Sequence, residues 1–256
     1  MSNRIRLLTA SDLPQACALS RAVNWNQTEA DWRLAIEMNP QGCFVMEAEG
    51  VVVATTTTIR YGTKLAWVGM VLTHPDFRRQ GLASALMERA LDRLSDVETV
   101  KLDATEMGAP VYRRLGFVDD REIERWIRPP GAVLASRIDG YFANPSLDLE
   151  AFGADRSALL RPLAGIESAS TPDGFAMGRG VRFGPCVSRS EESAVALLHW
   201  YLSRHAGEQV LWDTFPSDLP RSHGFELSRR LLRMVRGPAL AADDSLVYAG
   251  AGFEFG

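Results

Sequence analysis

HPDFRRQGLAS, residues 74–84, divides two kinds of periodicity. Before it, KLAWVGMVLT (64–73) is an unbroken apolar and β-branched run, the mark of a buried strand. After it, Leu86, Ala90, Leu91 and Leu94 fall on one helical face. The stretch is therefore a strand-to-helix turn, and its composition suits an anion. A helix N-terminus presents unpaired amides and the positive end of its dipole. Gly81 has no side chain, and Ala83 and Ser84 are small, so a ligand can approach the backbone closely. Amides from Arg79 to Ser84 could hold a pyrophosphate, with Arg78 and Arg79 adding charge beside it. The plainer reading is a connecting loop with solvent-facing arginines, and a lone glycine turn does not decide between them.

Working outward, Ile5–Leu8 reads as a strand, and LPQACALSRAV (13–23) as a helix capped by Thr9–Asp12. Thr28 followed by Asp31 resembles a capping box and starts a second helix. CFVMEAEG (43–50) and VVVATTTTIRYG (51–62) read as antiparallel strands. Beyond the opening helix, VETVKLDAT (97–105) is a strand. APVYRRLGF (109–117) is a short helix closed at Gly116, and FVDDREIERWIR (117–128) is extended.

Arg78-x-x-Gly81-x-Ala83, placed after a strand and opening a helix, resembles the acetyl-CoA signature of the GNAT N-acetyltransferases. The order of elements matches as well. LDATEMGAPVYRRLGF (102–117) is similar to that family's later signature, with Tyr112 four residues before Gly116-Phe117. The resemblance covers about residues 4–128. It implies an α/β (α+β) fold with a mixed, mostly antiparallel sheet flanked by helices. It also implies acetyl-CoA as co-substrate, held by Arg78, Arg79, Gln80, Gly81, Leu82, Ala83 and Ser84. The pantetheine arm would pair with the backbone of Val71, Leu72 and Thr73, where the motif strand splays from the next one.

The implied reaction is direct attack of a neutral amine on the thioester. Tyr112 matches the family's acid position, from which a phenol can protonate the departing thiolate. Its alternative role is a buried aromatic with a satisfied hydroxyl. No ionisable side chain lies on AWVGMVLT to serve as base, which leaves proton removal to a water chain. Asp103 could bind an ammonium group or relay a proton, or could simply cap a turn at the strand end. Trp25 could stack on the acceptor, or pack with Trp32 in the core; Trp32, seven residues on, reads as core.

PPGAVLASRIDG, from Pro129, marks a boundary between units 1–128 and 129–256. In the second unit DLEAFGADRSALLRPLAG (148–165) has helical spacing at Leu149, Phe152, Leu159, Leu160 and Leu163. SLVYAGAGFEFG (245–256) closes the chain with apolar alternation. A repeat emerges on comparison of the halves. VKLDAT (100–105) parallels VLWDT (210–214), LGFVDDREIERWIRP (115–129) parallels HGFELSRRLLRMVRGP (223–238), and VGMVLT parallels FGPCVS. The second half therefore reads as a diverged GNAT-like unit, in tandem with the first. It lacks the cofactor loop: FGPCVS leads to RSEESAVALL, where Glu191 and Glu192 would repel a pyrophosphate. Pro220 stands where Tyr112 would.

The 256 residues are 46% hydrophobic and 23% charged, with net charge −4, which speaks against broad binding to nucleic acid or anionic membrane. Three dispersed cysteines and four histidines share no ligand spacing, so no metal site is expected. No apolar segment reads as a signal peptide or a membrane span, and a cytoplasmic protein is expected. The reading that results is an acetyl-CoA-dependent N-acetyltransferase for a small or amino-acid-like primary amine. A CoA-binding sensor without turnover and a protein lysine or N-terminal acetyltransferase are the alternatives. Oligomeric state is left open, a homodimer included.

Overall fold

The computed structural model describes residues 3–133, 136–138, 140 and 144–256, so Leu134, Ala135 and Asp139 of the boundary segment lie outside the described residues. The first half runs β1 (Asn3–Leu7), α1 (Leu13–Ala22), α2 (Glu29–Met38), β2 (Phe44–Ala48), β3 (Val51–Tyr61), β4 (Leu65–Thr73), α3 (Leu82–Arg93), β5 (Thr99–Ala104), α4 (Ala109–Arg114) and β6 (Val118–Arg128). The second runs α5 (Pro145–Phe152), α6 (Ser157–Ala164), β7 (Ser168–Ser170), β8 (Gly174–Arg179), β9 (Arg182–Ser188), α7 (Glu191–Arg204), β10 (Val210–Thr214), α8 (Leu219–Ser222), β11 (Glu226–Arg236) and β12 (Val247–Ala249).

Local chemistry accounts for most of these boundaries. Thr28 begins α2 through a reciprocal pair: its hydroxyl accepts from the Asp31 amide at 3.3 Å, and the Asp31 carboxylate accepts from the Thr28 amide at 2.7 Å. Trp32 is thereby turned into the core. The threonines of β3 are all buried, and two of their hydroxyls are satisfied by main-chain carbonyls, Thr55 by Met70 and Thr58 by Gly42.

Two expectations are corrected. The helical spacing read over 148–165 divides between two helices, and Leu149, read as part of the apolar face, is exposed to solvent. Gly153 is the cause: it takes φ +77° and its amide closes α5 onto Leu149 O at 2.8 Å. The closing SLVYAGAGFEFG is extended only over β12. Gly252 then turns the chain at φ +120°, and Ala251–Gly256 tucks inward with every residue buried.

Among the described residues, twelve strands form one sheet, in the order β1-β2-β3-β4-β5-β11-β6-β10-β9-β8-β7, with β12 on β9. The β4–β5 and β9–β10 pairs are parallel and the others antiparallel. The repeated segments occupy equivalent places. β5 (VKLDAT) and β10 (VLWDT) flank the central pair, and each half sends its next strand across: β6 pairs with β10, and β11 with β5. β6 and β11 pair along almost their whole length, Val235↔Val118 to Glu226↔Ile127. The main apolar cluster spans both halves, including Trp32, Tyr61 and Trp67 with Phe152, Phe175 and Phe255.

Candidate active site

The strand before the opening loop leaves its neighbour part-way along. β4 pairs with β5 from Leu65↔Thr99 to Val68↔Leu102, and no further. On its other edge the register with β3 shifts between Thr57↔Gly69 and Thr55↔Leu72, and Met70 within that bulge has φ +47°. A bulge bends the strand, so Gly69–Thr73 diverges from β5 and opens a cleft of about 670 Å³. Val71, Leu72 and Thr73 line it along the splayed edge.

At one end stands the loop 74–84. Arg79 has φ +60° and Gly81 φ +78°, and α3 starts at Leu82. After Arg78, whose amide bonds Pro75 O at 3.3 Å, Ala85 is the next residue whose amide bonds back, to Gly81 O at 3.0 Å. Among the described residues, the amides from Arg79 to Ser84 have no protein acceptor. A Cβ built on Gly81 meets nothing within 4 Å, so the backbone is open to the cleft. Arg78, Arg79, Gly81, Leu82, Ala83 and Ser84 all line the cleft. Gln80 does not: its side chain is exposed and donates to Asp76 O at 3.5 Å. Unpaired amides, an open glycine and two unpaired arginines fit a pyrophosphate.

Tyr112 lines the middle. Gly108 lets its ring lie close, since a Cβ there would stand 3.0 Å from Tyr112 Cε2, and Phe117 meets it edge-on at 6.2 Å. Its hydroxyl has no hydrogen-bond partner among the described residues. Burial pushes its pKa well above the usual phenol value, so it holds its proton throughout the neutral range. In the second half, Pro220 occupies the equivalent turn. The Phe225 amide bonds Pro220 O at 3.1 Å, as Phe117 bonds Tyr112 O at 3.1 Å.

Asp103 lines the cleft but is engaged. Arg233, from β11, donates to both its oxygens at 2.9 and 3.0 Å, and the carboxylate is fully buried. Burial raises its pKa, and Arg233 offsets this only in part. Trp25 lies on the far wall, half-buried beneath the Arg229 guanidinium at 6.0 Å.

The far end is built by residues that reading the sequence did not single out. The second half supplies Arg229 and Leu231 from β11, and Phe253 and Glu254 from the C-terminal tail. The tail is pinned to the first half: Trp67 Nε1 donates to Phe253 O at 2.9 Å and Tyr61 to Phe255 O at 2.6 Å. Gly69 admits it, because a Cβ there would lie 2.9 Å from Glu254 Cα and Glu254 O. Glu254, 2% exposed, thus reaches the strand that has no carboxylate of its own. Burial pushes its pKa up, but Arg182, Arg179 and Arg125 outweigh that and hold it below the usual carboxylate value. The signal that could have found it was a lone charge between two phenylalanines in an apolar terminus. Among the described residues, no group of three or more His, Cys, Asp or Glu could hold a metal ion, and no helix is long and apolar enough to cross a membrane.

Comparison with known proteins gives a consistent picture. Residues 10–117 match the acetyltransferase (GNAT) family model, and residues 145–249 match a further acetyltransferase (GNAT) domain model. An uncharacterized N-acetyltransferase of Bacillus subtilis is 23% identical over 156 residues, 53% of this chain and 55% of that protein's length. A proposed acetyltransferase from Pyrococcus horikoshii has the same fold at TM-score 0.86 and 20% identity, over 99% of this chain and 96% of the other. A GCN5-related N-acetyltransferase from Sphaerobacter thermophilus aligns at TM-score 0.66 and 18% identity, over 94% of this chain and 98% of the other. Through both of its halves, the chain belongs to the GNAT acetyltransferase family.

Proposed function

We propose that the protein is an acetyl-CoA-dependent N-acetyltransferase acting on a primary amine of a small molecule. One observation carries this reading. A single cleft joins the unpartnered amides at Arg79–Ser84 to the free hydroxyl of Tyr112, along a strand edge that has lost its neighbour. Acetyl-CoA supplies its acetyl group as a thioester, whose C–S bond breaks as the amine nitrogen bonds the carbonyl carbon.

The chain's own groups divide the work. Arg78, Arg79 and the amides to Ser84 hold the pyrophosphate. The free edge of Val71–Thr73 takes the pantetheine amides as an added strand would. Tyr112, kept protonated by burial, gives its proton to the departing sulfur. Asp103 and Arg233 neutralise each other and fix the floor of the acceptor end. Glu254 is held too acidic to strip a proton from an ammonium outright, so it orients the amine while the proton passes to water in the cleft. The tail and β11 narrow the acceptor end, which favours a small molecule over a protein chain.

The test is acetyl-CoA consumption over an amine panel, beside direct measurement of acetyl-CoA binding. Wild type should bind acetyl-CoA and release thiol with at least one amine. Gly81→Val should weaken binding at least tenfold, because a β-branched side chain is strained at φ +78° and its methyls occupy the open space. Binding indifferent to that change sinks the loop assignment. Binding without thiol release on any amine favours a sensor.

A further inference from the structure

Charge and hydrogen-bonding capacity do not close at the acceptor end of the cleft, and both deficits have a definite sign. Consider the ions first. Arg125 donates to both oxygens of Asp213 at 2.6 Å, and to Asn26 Oδ1 at 3.0 Å. Arg179 lies 2.8 Å from Asp31 and 3.3 Å from Glu254, and Arg182 lies 3.8 Å from Asp213 and 3.7 Å from Glu254. Two buried arginines and the partly buried Arg179 thus face three buried carboxylates.

Arg229 is left over. It is half-buried, lines the cleft, and has neither an ion pair nor a hydrogen-bond acceptor among the described residues; it lies over the Trp25 ring, and the Asp213 carboxylate, already held by Arg125, acts on it only at longer range. It also stands directly opposite Arg125 in the β6–β11 register. Like charges opposed across strands are unfavourable, and burial with Arg125 beside it already draws the Arg229 pKa down. At this end of the cleft, away from Arg78 and Arg79, Arg229 thus presents a positive charge without an ion-pair partner among the described residues.

The second deficit is of donors at the cleft lining itself, since Arg179 Nη1 and Arg182 Nη1, which also lack a hydrogen-bond partner among the described residues, belong to residues that do not line it. Glu254 Oε2 and Gln27 Oε1 are buried acceptors without a hydrogen-bond partner among the described residues, and both residues line the same cleft. An unmet buried acceptor is costly, so the pair calls for an N–H donor. Glu254 and Arg229 are spatially separate. Glu254 lies against Gly69, one residue past the last β4–β5 pair, at the level of Asp103. Arg229 is four residues from Arg233, the partner of Asp103, hence about 13 Å further along the sheet at ~3.3 Å per residue.

We infer that the acceptor is an amine that also carries a carboxylate, with its nitrogen at Glu254 and Gln27 and its carboxylate on Arg229. The charge supports a carboxylate over a phosphate monoester: the reacting form, a neutral amine with one carboxylate, carries the single negative charge that Arg229 lacks. Arg229 and Glu254 both come from the second half, which thereby sets the specificity of a reaction whose donor site lies in the first. This inference rests on the N-acetyltransferase reading and deepens it.

The experiment compares matched acceptors: phenylalanine with phenethylamine, and 6-aminohexanoate with pentylamine. Thiol release gives kcat/KM for each. In at least one pair the carboxylate member should exceed its partner at least tenfold, and Arg229→Gln should cut that ratio below threefold, with Arg229→Lys between. Calorimetric binding of the same four compounds, with and without CoA, gives a readout independent of turnover, and CoA affinity and melting of R229Q report on its folding. The inference is overturned if every carboxylate member is no better than its partner in turnover and binding, or if the preference survives R229Q. Carboxylate binding lost in R229Q without any acetyl transfer supports the acceptor site while refuting the proposed reaction.

Discussion

Replacing Arg233 with methionine tests whether the two halves are joined electrostatically beneath the cleft. Arg233 is 6% exposed, stacks over Trp67 at 4.6 Å, and donates twice to the fully buried carboxylate of Asp103. Methionine fills similar volume but strands the carboxylate. Removing one partner of a buried pair costs about 3–5 kcal/mol, most of it the penalty of the orphaned charge. For a chain of this size that is roughly 6–20 °C in Tm. The loss must depend on pH. The folded-state pKa of Asp103 is already raised by burial, and losing Arg233 raises it further. A carboxylate whose folded pKa exceeds its unfolded value makes the fold more stable as pH falls, so the deficit at pH 7.5 should shrink by pH 5. Asp103→Leu in the same chain removes the stranded charge and should recover most of the stability. Denaturant unfolding followed by tryptophan fluorescence measures all three proteins. A single variant that loses under about 1 kcal/mol, or a double variant no better than the single, refutes the reasoning.

Other outcomes follow from the same geometry. Gly69→Ala drives a methyl into the Glu254 main chain, which should cost about 1–3 kcal/mol and raise the acceptor KM, with acetyl-CoA binding held within about twofold; an unchanged KM would detach the tail from the acceptor site. Tyr112→Phe removes the proton donor and should lower kcat by roughly 10²-fold or more, with acetyl-CoA affinity near wild type. Since burial raises the Tyr112 pKa, wild type should show no loss of activity from this group up to pH 9. Glu254→Gln should reduce kcat/KM for amines at least tenfold. Because the folded-state pKa of Glu254 is depressed, its stabilisation is present above the unfolded value and lost as pH falls. The variant should therefore shed stability less steeply than wild type below about pH 4.5.

The donor half of the site was legible because its signals are local. A strand, a left-handed glycine and a helix start lie within eleven residues, and Tyr112 is fixed by its distance to Gly116-Phe117. Thr28 and Asp31 announced α2 in the same way. The tandem repeat was legible too, since VKLDAT and VLWDT retain their alternation. The exchange of strands was not, because β6 and β11 carry alike patterns and either could lie beside β5. The acceptor half depended on that exchange: Arg229 reaches the cleft only because β11 lies between β5 and β6. Glu254 comes from a tail 185 residues beyond Gly69, a distance over which spacing in the sequence carries no information.

The crossed strands bear on how the chain is made. As synthesis proceeds, β5 emerges long before β11, its eventual neighbour, and β6 comes first with a similar pattern. At ~5–20 residues per second, the roughly 130 residues between Ala104 and Arg236 leave that edge waiting about 7–26 s. An apolar strand edge is an invitation to wrong pairing, with β6 of the same chain or with another nascent chain. Should β6 dock on β5 first, it must later be displaced, so refolding of the whole protein should be slower than that of a helical protein of equal length. Two ribosome-bound copies could complete each other's sheets instead, and the product would be an interlocked dimer with the same pairings as the monomer.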